Sequence, residues 1–265
     1  MAVLQASWWL SRWRVFAGPR TRLPAVLLPP VAAAWWLMLQ HALGHRHPVG
    51  LGHGAHPGMS LGAELAHWML MVIAMMLPFL GPTLAEVRRT TYPAAHAQAV
   101  GGYLLGWLSP WLLLGAPVAL FRGLEVAHAP GAAGVAFVVS AAWAFTGWHV
   151  RGLASCGLLR PLPPAGFALL GGATREGWHA GAACCTSCGP LMLACTLTGH
   201  SVVAMLGGFA LGWLERSTYR PSIRVGAALA LALGLWFFIF PGAEHAPGHH
   251  HHHVGNGAPR ATRSA

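Results

Sequence analysis

Long apolar runs separated by short polar gaps dominate this chain. The runs cover about residues 24–43, 61–84, 98–121, 131–150, 178–198, 200–214 and 222–241. Most of them approach the roughly 20 residues that an α-helix needs to cross the hydrocarbon core of a bilayer. The run 200–214 is the shortest and is rich in glycine. The pattern predicts an all-α, polytopic membrane helix bundle with about seven transmembrane helices, or six if 178–214 holds one span and a re-entrant piece.

Composition places the chain in a membrane. Of its 265 residues, 55% are hydrophobic and only 8% are charged, whereas a soluble domain carries about a quarter charged residues. With so few charges, the surface of a soluble domain could not be kept hydrated. We therefore expect the partner of the bundle to be the lipid bilayer. We assign 1–23 to a basic cytoplasmic N-terminal segment, 24–241 to the transmembrane helical bundle and 242–265 to a disordered, histidine-rich tail.

The net charge of +10 indicates membrane topology and not a nucleic-acid partner. The chain has no lysine, and nearly all of its arginines lie outside the apolar runs. With a cytoplasmic N-terminus and seven spans, twelve arginines lie inside and four outside, which fits the positive-inside rule. We therefore predict a multi-pass protein of the bacterial inner membrane, whose histidine-rich segments 45–56 and 245–253 share the extracytoplasmic side.

The segment 184–195, CCTSCGPLMLAC, carries the densest candidate chemistry and four of the five cysteines. At about 100° per residue, one arc of about 80° on a helix holds Cys184, Cys188, Met192 and Cys195, while Cys185 points to the side. Thiolate and thioether ligands suit Cu(I), whereas zinc and iron–sulfur sites usually need more thiolates or histidines. The alternative is that these cysteines pack as small hydrophobic residues. Cys156 is a single loop cysteine that could receive or pass on metal.

A second face of mixed ligands lies on the run 61–84. Glu64, His67, Met71 and Met75 share an arc of about 80°. Opposite the cysteines, this face predicts a Cu(I) site between the second and fifth spans, with His179 as a further candidate ligand. The alternatives are dipole and headgroup stabilisation of Glu64, a carbonyl partner for His67 and ordinary packing of the methionines.

Hydrolytic chemistry has little support in the sequence. The chain has no aspartate, no HExxH motif, no phosphate loop and no paired carboxylates. Haem stays open because histidines on different helices could ligate iron, but the sulfur-rich pattern favours Cu(I) over zinc or haem. Two other functions stay open. One is a membrane thiol or haem oxidoreductase, and the other is a structural or assembly subunit without a cofactor.

Several motifs resemble the predicted metal-binding integral membrane proteins of domain-of-unknown-function family 2182. They are HWMLMVIAMMLPFLGP (67–82), GYLLGW (102–107), SCGLLRP (155–161), CCTSCGPLM (184–192) and the pair Glu215-Arg216. Members of that family often carry adjacent cysteines directly before the position of Gly189, where this chain has Ser187 and Cys188. The resemblance covers most of 61–220 and implies a multi-helix membrane fold with a metal site, with copper delivery proposed for some members.

Together, these patterns predict an integral membrane protein that acquires Cu(I) and delivers it to a cuproprotein or metallochaperone partner. Translocation of the metal is the second possibility. In this hypothesis the histidine-rich extracytoplasmic segments collect the metal. It then passes from the face of His67, Met71 and Met75 to that of Cys184, Cys188 and Met192.

Overall fold

The fold is helical throughout the part of the chain that the computed structural model describes, which is residues 27–44, 60–121, 131–198, 201–217 and 221–239. The helices are α1 (Leu28–Gly44), α2 (Leu61–Met76), α3 (Gly81–Thr90), α4 (His96–Phe121), α5 (Ala132–Ala144), α6 (Gly147–Ser155), α7 (Gly166–Leu197), α8 (Val202–Ser217) and α9 (Pro221–Ile239). Short 3-10 turns at Leu77–Leu80 and Pro93–Ala95 precede α3 and α4. The all-α prediction is confirmed. The segment 1–23 and both histidine-rich segments lie outside the described residues.

Three stretches are long and apolar enough to cross a membrane, namely Leu61–Thr90, Pro93–Leu120 and Gly166–Leu197. A fourth is gained if α5 and α6, which meet at 76°, are counted as one broken span. The described residues therefore do not support the prediction of about seven spans. The reason is the length of helix that the structure describes: α1 and α8 have 17 and 16 described residues, and the described apolar stretch of α9 covers Gly226–Ile239. Each of these described stretches is shorter than the roughly 20 residues that a span requires.

The cysteine helix α7 begins at Gly166, well before the expected start near residue 178. Gly166 adopts a positive φ of 75°, a conformation that glycine reaches without steric cost. The early turns of α7 carry the buried residue Glu176. Apolar periodicity alone would not predict an acidic residue inside a membrane helix. The Glu176 carboxylate accepts from the Arg160 backbone N–H at 3.3 Å and lies 3.7 Å from the Arg160 guanidinium. This partner lets an acidic residue stay inside the helix.

Helices α4 and α7 share the most extensive contact in the described chain, because glycines line both faces. A Cβ at Gly106 would overlap the Thr174 carbonyl, and a Cβ at Gly177 would overlap the Tyr103 carbonyl. Gly181, one turn further along α7, meets α4 in the same way. Small residues at this spacing let membrane helices gain packing energy where no hydrophobic driving force acts between them. The contact holds α7 firmly against α4.

Two tryptophan hydrogen bonds fix α2 between its neighbours. The Trp68 indole N–H donates to the Trp111 carbonyl on α4 at 2.9 Å. From the other side, the Trp35 indole of α1 donates to the Ala74 carbonyl at 3.0 Å. Buried polar groups in an apolar environment need such partners. The bonds set the rotation of α2 and so decide which of its side chains face α7 and α8.

The outward faces of the helices are apolar, as a lipid-facing surface requires. Exposed large hydrophobic side chains occur along α1, α4, α5, α7 and α9. They include Trp36, Leu105, Leu113, Leu120, Val139, Phe167 and Ile239. With the candidate spans, this surface marks the chain as a membrane protein.

Candidate functional site

The sulfur stripe predicted from helical periodicity lies on the buried face of α7. Cys184 and Cys188 are 3% and 2% exposed, and Met192 and Cys195 are fully buried. Cys185 is only partly buried, as expected for a side chain that points to one side. All five cysteines are free thiols. The stripe divides into two groups with different neighbours.

The group nearer the end of α7 meets the methionines of α2 around a glycine of α8. A Cβ at Gly208 would lie 2.9 Å from the Met75 methyl carbon and 3.1 Å from the Cys195 sulfur. The Met71 sulfur lies at the same end of α7, 4.0 Å from the hydroxyl oxygen of Thr196. We call Met71, Met75 and Cys195 the methionine cluster. Side chains of α2 and α7 meet at this cluster beside Gly208 of α8.

The other group, Cys184 and Cys188, faces α8 and its arginine. Nη2 of Arg216 donates to the Cys184 sulfur at 3.4 Å and lies 3.7 Å from the Cys188 sulfur. The guanidinium also stacks on the Phe79 ring at 4.3 Å from its centroid. A cation held among apolar side chains needs a negative partner, which thiolates can supply. In the sequence, Arg216 is one of the topology arginines and part of the motif Glu215-Arg216, and neither pattern indicates its contact with the cysteines.

Cys156, the residue after α6, reaches the same place from a different segment. Its sulfur lies 3.8 Å from the Ser187 hydroxyl oxygen, which lies 3.5 Å from the Cys188 sulfur. The pKa of Cys156 lies below its ordinary value because the Cys184 thiol hydrogen-bonds to it and Arg216 attracts its thiolate, which together outweigh burial. We call Cys156, Cys184 and Cys188 the thiol cluster. Its only sequence signal was the motif SCGLLRP.

His149 and Glu215 border the thiol cluster on the side of α9. The His149 ring places Nδ1 3.0 Å from the Ser187 carbonyl oxygen and Nε2 3.5 Å from a Glu215 carboxylate oxygen. Both side chains are buried, with exposures of 5% and 9%. A cavity of about 20 Å³ lies beside them and Cys188, which is space for about one water molecule. This pair therefore belongs to the surroundings of the thiols.

The remaining predicted ligands lie apart from the thiol cluster. Glu64 and His67 occupy the first two turns of α2 and are partly buried. His179 lies on α7 before the cysteines, but its side chain is exposed. Among the described residues, no three side chains of His, Cys, Asp or Glu already stand in an arrangement that would hold a metal ion. The thiols instead hydrogen-bond to one another, to Ser187 and to Arg216.

Comparison with known protein families gives one match. The family model PpoB2, described as a copper chaperone, matches residues 65–240. That range contains the methionine cluster, the thiol cluster and Arg216. Comparison with curated proteins and with solved structures finds no match. The predicted copper-handling function is confirmed at the level of the family, whereas the resemblance to domain-of-unknown-function family 2182 stays a prediction. The match covers well over half of the chain, which therefore belongs to the PpoB2 copper chaperone family.

Proposed function

We propose that this protein holds Cu(I) as cargo at Cys184 and Cys188 and hands it to a cuproprotein or a metallochaperone. One observation carries the proposal. Two buried cysteine sulfurs, one helical turn apart, share the guanidinium of Arg216. Family membership supplies the metal, and the two sulfurs supply ligands of the softness that Cu(I) prefers.

Charge balance supports this choice of site. Metal binding requires the thiols to lose their protons. Two thiolates and one Cu(I) then carry a single negative charge in total, which the permanent charge of Arg216 offsets. An uncompensated charge in an apolar interior is costly. A helix with two cysteines but no such cation would hold copper less tightly.

The methionine cluster extends the path of the metal along the same helices. Its thioethers are soft ligands without charge, so Coulomb attraction to Cu(I) is stronger at the thiolates. We infer that Met71 and Met75, preceded by Glu64 and His67 on α2, receive the ion and pass it towards Cys184. Met192 lies on α7 between the two groups, whereas the partly buried Cys185 and the exposed His179 lie outside this path.

The proposed setting is the bacterial inner membrane with a cytoplasmic N-terminus. The lead-in sequence supports this orientation, because four arginines, Arg12, Arg14, Arg20 and Arg22, precede the first apolar run. The histidine-rich segments 45–56 and 245–253 would gather metal on the other side. Reporter fusions to the N-terminus and to the loop at 45–56 test the orientation, and reporters active on one common side would contradict it.

Metal analysis of the purified full-length protein tests the proposed site. Protein prepared in detergent under reducing conditions is incubated with Cu(I) and freed of unbound metal before copper per chain is measured. We expect copper in the wild type and almost none in a Cys184→Ser/Cys188→Ser variant. Cys185→Ser is the matched control, because this partly buried cysteine lies in the same helix but outside the Arg216 contact. Copper retained by the double variant would overturn the proposal.

A further inference from the structure

We propose that Cys156 is a third thiolate ligand of the copper site, so that the bound metal joins the segment after α6 to α7. This inference rests on the proposed binding of Cu(I) by Cys184 and Cys188. It adds a ligand from outside the cysteine helix, and it assigns a direct role to a residue that the sequence presents as a single loop cysteine.

The hydrogen bonds around Ser187 supply the first argument. Ser187 donates its one hydroxyl hydrogen to the Cys184 carbonyl at 3.1 Å. Its oxygen lies beside two sulfurs, that of Cys156 at 3.8 Å and that of Cys188 at 3.5 Å. A residue from outside α7 and a residue of α7 therefore bring their thiols to one hydroxyl. The thiols do not already stand in a metal-holding arrangement, but after loss of their protons a turn of the two side chains would bring both sulfurs onto one soft metal ion.

Unused hydrogen-bond donors supply the second argument. The Tyr103 side chain is fully buried, and its hydroxyl makes no hydrogen bond with a described group. Nη1 of Arg216 also lacks an acceptor among the described residues, while Nη2 already contacts the Cys184 and Cys188 sulfurs. Buried donors without partners are rare and costly. A further thiolate formed on metal binding would offer Arg216 an acceptor, and it would act on Tyr103 through its negative charge.

Charge provides the third argument. Three thiolates with one Cu(I) carry two negative charges, so Arg216 alone would leave one of them unbalanced. The Tyr103 hydroxyl, which makes no hydrogen bond with a described group, can turn towards that remaining charge, and bonds to charged acceptors are stronger than those to neutral ones. The same cluster therefore holds the ligands and the groups that make their combined charge tolerable.

Copper coordination in three variants tests the proposal. Each full-length protein is loaded with Cu(I), the mean number of sulfur ligands is measured by X-ray absorption, and affinity is measured against a Cu(I) chelator. We expect an average of about three sulfurs in the wild type and about two in Cys156→Ser, because two cysteine ligands then remain. We also expect an affinity loss of at least about tenfold, since even residues outside the ligand shell typically change affinity by that much. Cys185→Ser should behave as the wild type.

The outcomes separate this inference from the proposed function. If Cys156→Ser leaves both the sulfur number and the affinity unchanged, while Cys184→Ser/Cys188→Ser abolishes binding, the third ligand is wrong and the site stands. If the double variant keeps its copper, the site itself is wrong. A variant that fails to fold is replaced by a measurement on the wild type. Alkylation of Cys156, followed by mass spectrometry, should be fast without copper and slow with it, and equal rates would overturn the proposal.

Discussion

Nη2 of Arg216 on α8 lies 3.4 Å from the sulfur of Cys184 on α7, although the two residues are 32 positions apart in the chain. This contact places a permanent positive charge beside a buried pair of cysteines. In the proposed copper site, a cation at this position would offset the negative charge of the thiolates in an apolar interior. The proposal therefore depends on the charge of Arg216.

Removing the charge of Arg216 should weaken copper binding without removing a ligand. For Arg216→Gln we expect an affinity loss of about 10–100-fold, the range typical of residues that support metal ligands from outside the ligand shell. Arg216→Lys should lose less copper affinity, because lysine keeps the positive charge and lacks only the planar guanidinium with its several N–H donors. Competition against a Cu(I) chelator gives the numbers. Arg175→Gln removes an exposed arginine of α7 as the control, and an Arg216→Gln protein with wild-type affinity would contradict the charge argument.

The glycine contact between α4 and α7 should be intolerant of a single methyl group. In Gly177→Ala the added Cβ overlaps the Tyr103 carbonyl, so the two helices must separate. We expect a loss of about 1–3 kcal/mol in the free energy of unfolding, the usual cost of overpacking. Gly171→Ala is the control on the same helix, since nothing lies within 4 Å of its Cβ. Unfolding in detergent measures both, and equal stabilities would disprove the tight contact.

Replacing the thioethers of α2 tests the path of the metal. The Met71→Leu/Met75→Leu variant keeps similar volume in the buried core, so we expect a stability change below about 1.5 kcal/mol for each substitution. Copper per chain at saturation should stay at the wild-type value, because the thiol cluster is intact. The time course of copper uptake should be several-fold slower. Met76→Leu, which is also fully buried, serves as the control. Unchanged uptake in the double variant would assign Met71 and Met75 to packing alone.

The His149–Glu215 pair should show energetic coupling in a double-mutant cycle. Each single substitution, His149→Gln or Glu215→Gln, leaves a buried partner without its ion-pairing group, and the double variant removes both. We expect a coupling free energy of about 0.5–3 kcal/mol in unfolding measurements. The Glu86–Arg89 pair, with side-chain exposures of 38% and 74%, is the control and should couple by less than about 1 kcal/mol. Coupling of His149 and Glu215 no larger than the control would contradict a buried pair.

Periodicity predicted which side chains of one helix share a buried face. Cys184, Cys188, Met192 and Cys195 recur at helical spacing, and a stripe of that kind faces the interior because the opposite face must meet lipid. The same reasoning placed Met71 and Met75 together on a buried face of α2. Burial needed only the geometry of a single α-helix, whereas the role of these residues as ligands stays a prediction.

Residues joined by tertiary packing escaped this reasoning. Cys156 and Arg216 approach Cys184 from other segments, and no local pattern reports which segments pack together. Each had a simpler explanation, as a loop cysteine and as a topology arginine. The count of spans failed for a related reason. Hydropathy sums apolar residues but does not show where a helix ends. The apolar run 131–150 contains the end of α5 and the start of α6, which Thr146 caps and which is bent by 76° relative to α5.

The glycines that bring α4 and α7 into backbone contact also limit where this molecule can move. At Gly106, Gly177 and Gly181 the backbones of the two helices lie so close that sliding or tilting would cause steric overlap. We therefore expect the cysteines of α7 to keep a fixed position relative to α4. We expect the movement that releases a bound ion to occur at α8, because α8 contacts α7 far less than α4 does. Spin labels should therefore report one fixed α4–α7 distance with and without copper, and an α7–α8 distance that changes.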